Sequence, residues 1–290
     1  MLLLRFENGT VMAGKIVVAL TDSEAGRRAL AWAEKRALQR HQSLYLLTVV
    51  GGATGTVGEG RLLDAAVANA EAYVDGEAER LRGAGIVVET EVRQGNPVAH
   101  ISSATQGAAL LVIGSDFHDG SGRRRGLHGV RIVAAASCPT VVVGASVNED
   151  GRSGVVVGVD GSEISEAALK FAAAEADRLG EPLVVVSVWT PVQVPHMPLL
   201  DNDEYLRSMQ SITEEMQSLA LAGLSQDYPD LEIRREVLSG YPSHAISDRA
   251  ETARLTVVGS HGRGALARFL LGSVSHEILL NLTSPTAIVR

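Results

Sequence analysis

The residues with the clearest chemical potential lie close to the C-terminus. A short β-branched run, Leu255–Val258, is typical of a buried strand, and it is followed at once by Gly259. Two residues separate Gly259 from Gly262, and nine more separate Gly262 from Gly272, which directly precedes Ser273. From there the apolar residues fall at helical spacing, so the predicted order is strand, glycine loop and helix.

This order of elements can hold a phosphate group. Glycine lets backbone amides approach a ligand without a Cβ in the way. The first turn of a helix leaves its amides unpaired and carries a partial positive charge. Ser273 and Ser275 add hydroxyls, and Arg263 and Arg268 add positive charge. Turn glycines and a serine N-cap would explain the same spacing without a ligand, so the motif alone leaves both interpretations open.

Two familiar phosphate loops do not fit this spacing. The pattern G-x-x-x-x-G-K-[ST] fails because no Lys precedes Ser273, and G-x-G-x-x-G belongs after a first strand rather than near the C-terminus. The stretch does resemble the nucleotide-binding signature of the universal stress protein family. In that family G-x-x-G, nine residues and G-[ST] cradle the phosphates of ATP, and Gly259, Gly262, Gly272 and Ser273 match it without a gap.

Length and composition limit the class of protein. A chain of 290 residues suits about two domains, and 46% hydrophobic residues with only 4% aromatics suit helices packed on a parallel sheet. The net charge of −8 argues against a nucleic-acid partner, and no apolar run approaches the roughly 20 residues of a membrane span. The single cysteine, Cys138, fits a reducing compartment, so we expect a cytoplasmic protein.

The sequence contains an internal repeat, so that one structural unit occurs twice along the chain. Pro97 and Pro242 are separated by 145 positions, and so are Gly114 and Gly259. Strand patterns alternate with helix patterns in both halves, which predicts a parallel sheet with helices in each. We therefore predict an α/β fold with two tandem domains, each a five-stranded, mainly parallel sheet sandwiched by helices. This order resembles one universal stress protein domain per half, which implies the adenine-nucleotide α-hydrolase-like fold.

The predicted organisation has four parts. Residues 1–13 form an N-terminal extension, residues 14–145 a first domain, residues 146–154 a polar linker and residues 155–290 a second domain. We expect the ATP motif to be intact in the second domain and degenerate in the first.

The resemblance assigns a nucleotide site to the second domain. Asp160 follows the first strand of that half, and in the family this Asp contacts the adenosine part of the nucleotide while its neighbours line the base pocket. Helix capping by Asp160 with Glu163 is the alternative explanation. The resemblance implies no catalytic residue and no metal ligand, and the residues it implies for ATP are Val159, Asp160, Val188, Val258, Gly259, Gly262, Arg263, Gly272, Ser273, Val274 and Ser275.

The first domain lacks several of these features. Thr21 stands at the position of Asp160, and Phe117 stands at the position of Gly262. Thr21 could still cap the following helix, but the carboxylate is gone. Depending on a gap, Gly126-Leu127 or Gly129-Val130 aligns with the Gly272-Ser273 pair, and the hydroxyl is lost either way. We expect the second half to bind nucleotide. The alternative is that both halves have lost site residues by sequence drift, and that the second half has lost fewer.

Four other side chains lie near the motif in the sequence, and structural roles explain them without a ligand. His261 and His276 flank the glycine loop and could touch phosphate, but we expect structural or solvent-facing roles. Tyr241 and Trp189 could approach the base, but we expect both to pack in the core.

The function implied is that of an ATP-binding universal stress protein, with Mg²⁺ an allowed companion ion. It would act as a nucleotide-linked stress regulator through binding rather than rapid catalysis, for a protein partner that the sequence does not identify. In the family the last strands pair across a two-fold axis; whether this chain forms a homodimer stays open. The rival functions are a slow ATP hydrolase or adenylyl-transfer enzyme, a nucleotide-free interaction scaffold and, more remotely, a flavin-binding electron carrier.

Overall fold

The computed structural model describes residues 14–51, 59–115, 127–144, 151–191, 203–262 and 271–290. The predicted N-terminal extension and most of the predicted linker lie outside these residues. The described residues form two compact units, one ending at residue 144 and the other beginning at residue 151.

The N-terminal unit alternates strands and helices throughout. Its elements are β1 (Lys15–Ala19), α1 (Glu24–Arg40), β2 (Ser43–Gly51), α2 (Glu59–Gly83), β3 (Val88–Gly95), α3 (Pro97–Ala104), β4 (Leu110–Ser115), α4 (Leu127–Ala135) and β5 (Thr140–Gly144).

The C-terminal unit repeats this order with one extra short helix. Its elements are β6 (Val155–Gly158), α5 (Glu163–Leu179), β7 (Leu183–Trp189), α6 (Asp203–Ala220), α7 (Leu224–Asp227), β8 (Ile233–Ser239), α8 (Pro242–Ala250), β9 (Leu255–Gly259), α9 (Ser273–Leu280) and β10 (Thr286–Val289).

Each unit contains a parallel sheet of five strands. The order is β3-β2-β1-β4-β5 in the N-terminal unit and β10-β9-β6-β7-β8 in the C-terminal unit. Right-handed crossovers place α1 and α2 on one face and α3 and α4 on the other, and the C-terminal unit follows the same rule. Contacts of α3 with α4, and of α8 with α9, agree with this placement. The predicted fold class is confirmed.

Sequence and burial explain why the central helices form and where they pack. The side chain of Ser23 accepts a hydrogen bond from Gly26 N, and that of Ser162 accepts one from Ser165 N, so a serine caps each helix at its N-terminus. The faces of α1 and α5 that meet the sheets are rich in alanine, which brings each helix close to fully buried valines and leucines.

Two predicted element boundaries are wrong. The residue pattern of the sequence predicts a single helix over about 204–224, but α6 ends at Ala220, and Gly223 has a left-handed φ of 87° that separates α7 from it. The β-branched run also predicts a strand over residues 86–92, but β3 begins at Val88. The amide of Ile86 instead donates to Leu81 O near the end of α2, so Ile86 is not part of the strand.

A partly buried carboxylate, Glu181, holds the start of the C-terminal unit in place. Glu181 accepts hydrogen bonds from Ser153 Oγ (2.7 Å), Gly154 N (2.8 Å) and Arg254 Nε (2.8 Å). Burial raises the pKa of Glu181, but these three donors outweigh it and hold the pKa below its ordinary value. Residues 153–154, which the sequence places in the linker, are therefore bound to the C-terminal unit just before β6.

We predict that Glu181→Ala lowers the free energy of unfolding of the C-terminal unit by about 1–3 kcal/mol at pH 7. Because the folded pKa is depressed, this contribution is present above the unfolded value of about 4.3 and is lost as pH falls through the folded value. Urea unfolding followed by Trp189 fluorescence in a Trp32→Phe background measures it, since the chain has two tryptophans.

The matched control for this prediction is Glu232→Ala. The ion pair of Glu232 with Arg234 is exposed, with side-chain exposures of 63% and 57%, so its loss should change stability by less than about 0.5 kcal/mol. Equal effects of the two variants, or a Glu181 effect that does not shrink in acid, would contradict the assignment.

Candidate functional site

The site lies where two neighbouring parallel strands part. Strands β6 and β9 run side by side, with Val157 opposite Val257. The chain leaves β6 through α5 toward β7, and it leaves β9 through α9 toward β10 on the other side. Crevices at such switch points, outside the carboxyl ends of the strands, are where open α/β sheets bind ligands.

Asp160 occupies the carboxyl end of β6. Its Oδ1 accepts hydrogen bonds from Ser162 N (3.0 Å) and Ser162 Oγ (2.6 Å). A Cβ added to Gly262 would lie 2.5 Å from Asp160 Oδ2, so the second carboxylate oxygen faces the glycine loop. The capping explanation for Asp160 is wrong, because the N-cap residue of α5 is Ser162. The N-cap residue Ser162 therefore orients the Asp160 carboxylate, and Asp160 itself does not cap the helix.

The glycine loop returns to the sheet through backbone bonds. Ser260 N donates to Val289 O (2.7 Å), and Ser260 O accepts from Gly272 N (2.7 Å) and Ser275 Oγ (3.1 Å). These bonds hold the start of α9 at the end of β9. Gly272 is the N-cap residue of α9, and no side chain caps this helix. Its first amides therefore lack intrahelical partners and carry partial positive charge.

A cavity of about 470 Å³ joins these parts. Its lining includes every predicted site residue that the structure describes, namely Val159, Asp160, Val188, Val258, Gly259, Gly262, Gly272, Ser273, Val274 and Ser275. The eleventh, Arg263, lies outside the described residues, as does Arg268. The residues predicted from three separate stretches of the chain thus line one cavity.

Sequence reasoning missed part of the lining: Gly158, Ser165, Val186, Pro242 and Ile246. Val186 could have been found, because it precedes Val188 by two and so shares its face of β7. Pro242 and Ile246 share a face of α8 through i, i+4 spacing, but only tertiary packing shows that this face meets the strand ends. The expected structural or solvent-facing role for His261 is incomplete, since it lines the cavity with Nδ1 2.9 Å from Ser260 Oγ.

The two aromatic candidates behave differently from each other. Trp189 is 8% exposed and donates from Nε1 to Gln210 Oε1 (2.9 Å), so its predicted core position is confirmed. Tyr241 is 70% exposed, and the prediction of core packing is wrong for it. Its ring lies beside that of His244 at the start of α8, where the preceding strand has already ended.

The cavity has chemically different ends. The glycines and the start of α9 form a polar end, and Val186, Val188, Pro242 and Ile246 form an apolar end. Among the described lining residues, the titratable side chains are Asp160 and His261. Within the described ranges there is no group of three or more His, Cys, Asp or Glu side chains that could hold a metal ion.

The N-terminal unit keeps one glycine of the motif for a packing reason. A Cβ on Gly114 would lie 2.5 Å from the carbonyl of Ala25 in α1, a backbone group that cannot turn aside. Gly114 is therefore required whether or not a ligand binds. Thr21 does not cap α1, because Ser23 does, and its Oγ1 lies 3.1 Å from Ser23 Oγ. Phe117 and Gly126 lie outside the described residues.

Comparison with known proteins identifies the family. The sequence profile of the universal stress protein family matches residues 12–144 and again residues 152–290. Universal stress protein Rv2623 of Mycobacterium tuberculosis is 31% identical over 294 residues, covering 95% of this chain and 96% of that protein. Universal stress protein Rv2005c of the same organism is 35% identical over 212 residues, covering 70% and 69%. The chain belongs to the universal stress protein family, with two of its domains in tandem.

The fold has a counterpart among solved structures. A universal stress protein from Archaeoglobus fulgidus superposes with a TM-score of 0.69 at 20% identity, over 95% of this chain and 98% of that one. None of the helices in the described ranges has the length and hydropathy of a membrane span.

We predict that Ser162→Ala lowers the free energy of unfolding by about 2 kcal/mol, because it removes the cap of α5 and a charge-assisted bond to Asp160. Ser23→Ala is the matched control, since Ser23 caps α1 in the same way without a carboxylate partner, and it should cost about 1 kcal/mol. Chemical denaturation of both variants measures the difference. A loss for Ser162→Ala no larger than that for Ser23→Ala would show that the Asp160 bonds contribute nothing.

Proposed function

We propose that the C-terminal unit binds ATP in this cavity and that the protein is a nucleotide-linked stress regulator acting through binding rather than rapid catalysis. The observation that carries the proposal is the joining, in one cavity, of an uncapped helix N-terminus, a fixed carboxylate and an apolar wall. Phosphates, ribose and base each have a chemically matched surface there.

The polar end suits the triphosphate. The amides at the start of α9 and the glycines beside it offer donors that no side chain caps. A Cβ on Gly272 would lie 3.3 Å from His261 Cα and 3.4 Å from Ser260 O, so the backbone is already close-packed where the helix begins. Arg263 and Arg268 follow in sequence and add positive charge to the same loop.

The apolar end suits the base. A volume of about 470 Å³ falls within the roughly 300–1,000 Å³ of small-molecule sites. The aliphatic side chains of β7 and α8 can cover both faces of a flat ring, and Asp160 lies at the strand edge between this wall and the glycine loop. A carboxylate in that position accepts hydrogen bonds from hydroxyl groups such as those of ribose.

The lining favours binding over rapid turnover. Phosphoryl transfer usually requires metal-binding carboxylates and a group that orients the nucleophile. Among the described lining residues Asp160 is the single carboxylate, so an Mg²⁺ ion would depend largely on the oxygens of the nucleotide itself. A ligand that touches β6, α8 and α9 together would stabilise their arrangement, which is the change that a regulatory partner could detect.

We predict that calorimetry detects ATP binding to the wild type and that Gly272→Glu weakens it by more than about tenfold, because a carboxylate would enter the phosphate end. Gly129→Glu is the matched control: it makes the same change in α4 of the N-terminal unit, where an added Cβ meets nothing within 4 Å. This control should bind ATP like the wild type.

The same samples separate the rival functions. ATP recovered intact after long incubation supports binding, whereas phosphate release that Asp160→Ala abolishes would favour the hydrolase. No heat of binding at about millimolar ATP, with no adenine nucleotide released from the denatured protein, would overturn the proposal in favour of a nucleotide-free scaffold.

A further inference from the structure

The two units differ systematically in the side chains at the ends of their central strands. Their positions correspond through identical backbone bonds: Val159 N donates to Val186 O at 2.9 Å, as Leu20 N does to Leu47 O at 2.9 Å. Strand register extends the correspondence to the other central strands. The apolar lining of the cavity can therefore be compared position by position.

Four lining positions of the C-terminal unit carry smaller residues than their counterparts. The N-terminal unit has one more carbon atom at each of them, and the pairs are Gly158 with Ala19, Val159 with Leu20, Val186 with Leu47 and Val258 with Ile113.

Three other apolar lining positions are the same in both units. These pairs are Val188 with Val49, Pro242 with Pro97 and Ile246 with Ile101. Among these seven positions the differences lie at the ends of β6, β7 and β9, and they have one direction: the unit with the glycine loop has the smaller residues.

The contact at Gly158 shows what a larger residue would do. A Cβ there would lie 2.7 Å from Ile246 Cδ1 and 3.4 Å from Val258 Cγ1. Contacts of 2.7 Å are not tolerated, so the end of the Ile246 side chain would have to move. Because Ile246 itself lines the cavity, its displacement takes space from the apolar end.

We infer that Gly158, Val159, Val186 and Val258, here called the small wall, set the size of the base end of the cavity and decide that the C-terminal unit accepts a nucleotide base. The inference rests on the proposed function, because it assigns the apolar end to the base. The larger residues at the same four positions close the corresponding space in the N-terminal unit. The N-terminal unit, which has Thr21 and Phe117 at the positions of Asp160 and Gly262, therefore also has larger side chains where the base would lie.

The test introduces N-terminal identities into the C-terminal unit one at a time. Gly158→Ala, Val186→Leu and Val258→Ile are compared with the wild type in two titrations, one with ATP and one with inorganic tripolyphosphate. A single added methylene in a close-fitting pocket should weaken ATP binding by at least about tenfold. Tripolyphosphate has no base, so its affinity should stay within about twofold.

Two control variants separate cavity filling from general overpacking. Val185→Leu and Val257→Ile add one carbon to the neighbouring residue of the same strand, whose side chain faces the opposite side of the sheet and is fully buried. They should reduce stability without a comparable loss of ATP affinity. Trp189 fluorescence confirms that each variant remains folded.

The outcomes distinguish this inference from the proposed function. A wild type that binds no ATP would remove the proposed function itself. A wild type that binds ATP while all three small-wall variants bind it equally well would overturn the inference alone. Equal losses in the control variants, or an equal loss of tripolyphosphate affinity, would also overturn it, since the effect would then not arise at the base end.

Discussion

The site depends on two neighbouring parallel strands, β6 and β9, whose following connections run in opposite directions across the sheet. Because the chain leaves β6 and β9 in opposite directions, neither crossover covers both of their carboxyl ends. Backbone bonds from Ser260 to Val289 and from Gly272 to Ser260 then bring the start of α9 back to this opening. A helix N-terminus without a side-chain cap is thereby held at the edge of a hydrophobic hollow, and the other features of the site follow from that placement.

The duplication provides an internal comparison of folding and binding requirements. Residues that build the layers are similar in both halves, and Gly114 remains because α1 packs against it. Positions that line the cavity of the C-terminal unit differ in the N-terminal unit, since Thr21 stands in place of Asp160 and Ala19 stands in place of Gly158. One copy of a fold can thus keep its packing while the side chains at its strand ends change, because the two depend on different residues.

Much of the architecture could be predicted from the sequence. The strand and helix patterns, the repeat offset and the glycine spacing depend on local composition, and they placed Asp160 and Gly272 at one sheet edge. Boundaries set by single backbone geometries, such as the left-handed Gly223, could not be placed in this way. Contributions from α8 were missed because Ile246 reaches Gly158 through tertiary packing, which no spacing in the sequence records. The sequence also does not reveal that Ser162, rather than Asp160, caps α5.

The most direct measurement is the response of the α9 amides to nucleotide. In ¹⁵N-labelled protein, titration with ATP should shift the amide resonances of Ser273, Val274 and Ser275, and titration with adenosine should leave them near their starting positions. That result is expected if the helix N-terminus holds the phosphates. Amides of these three residues that do not move at saturating ATP would contradict the account.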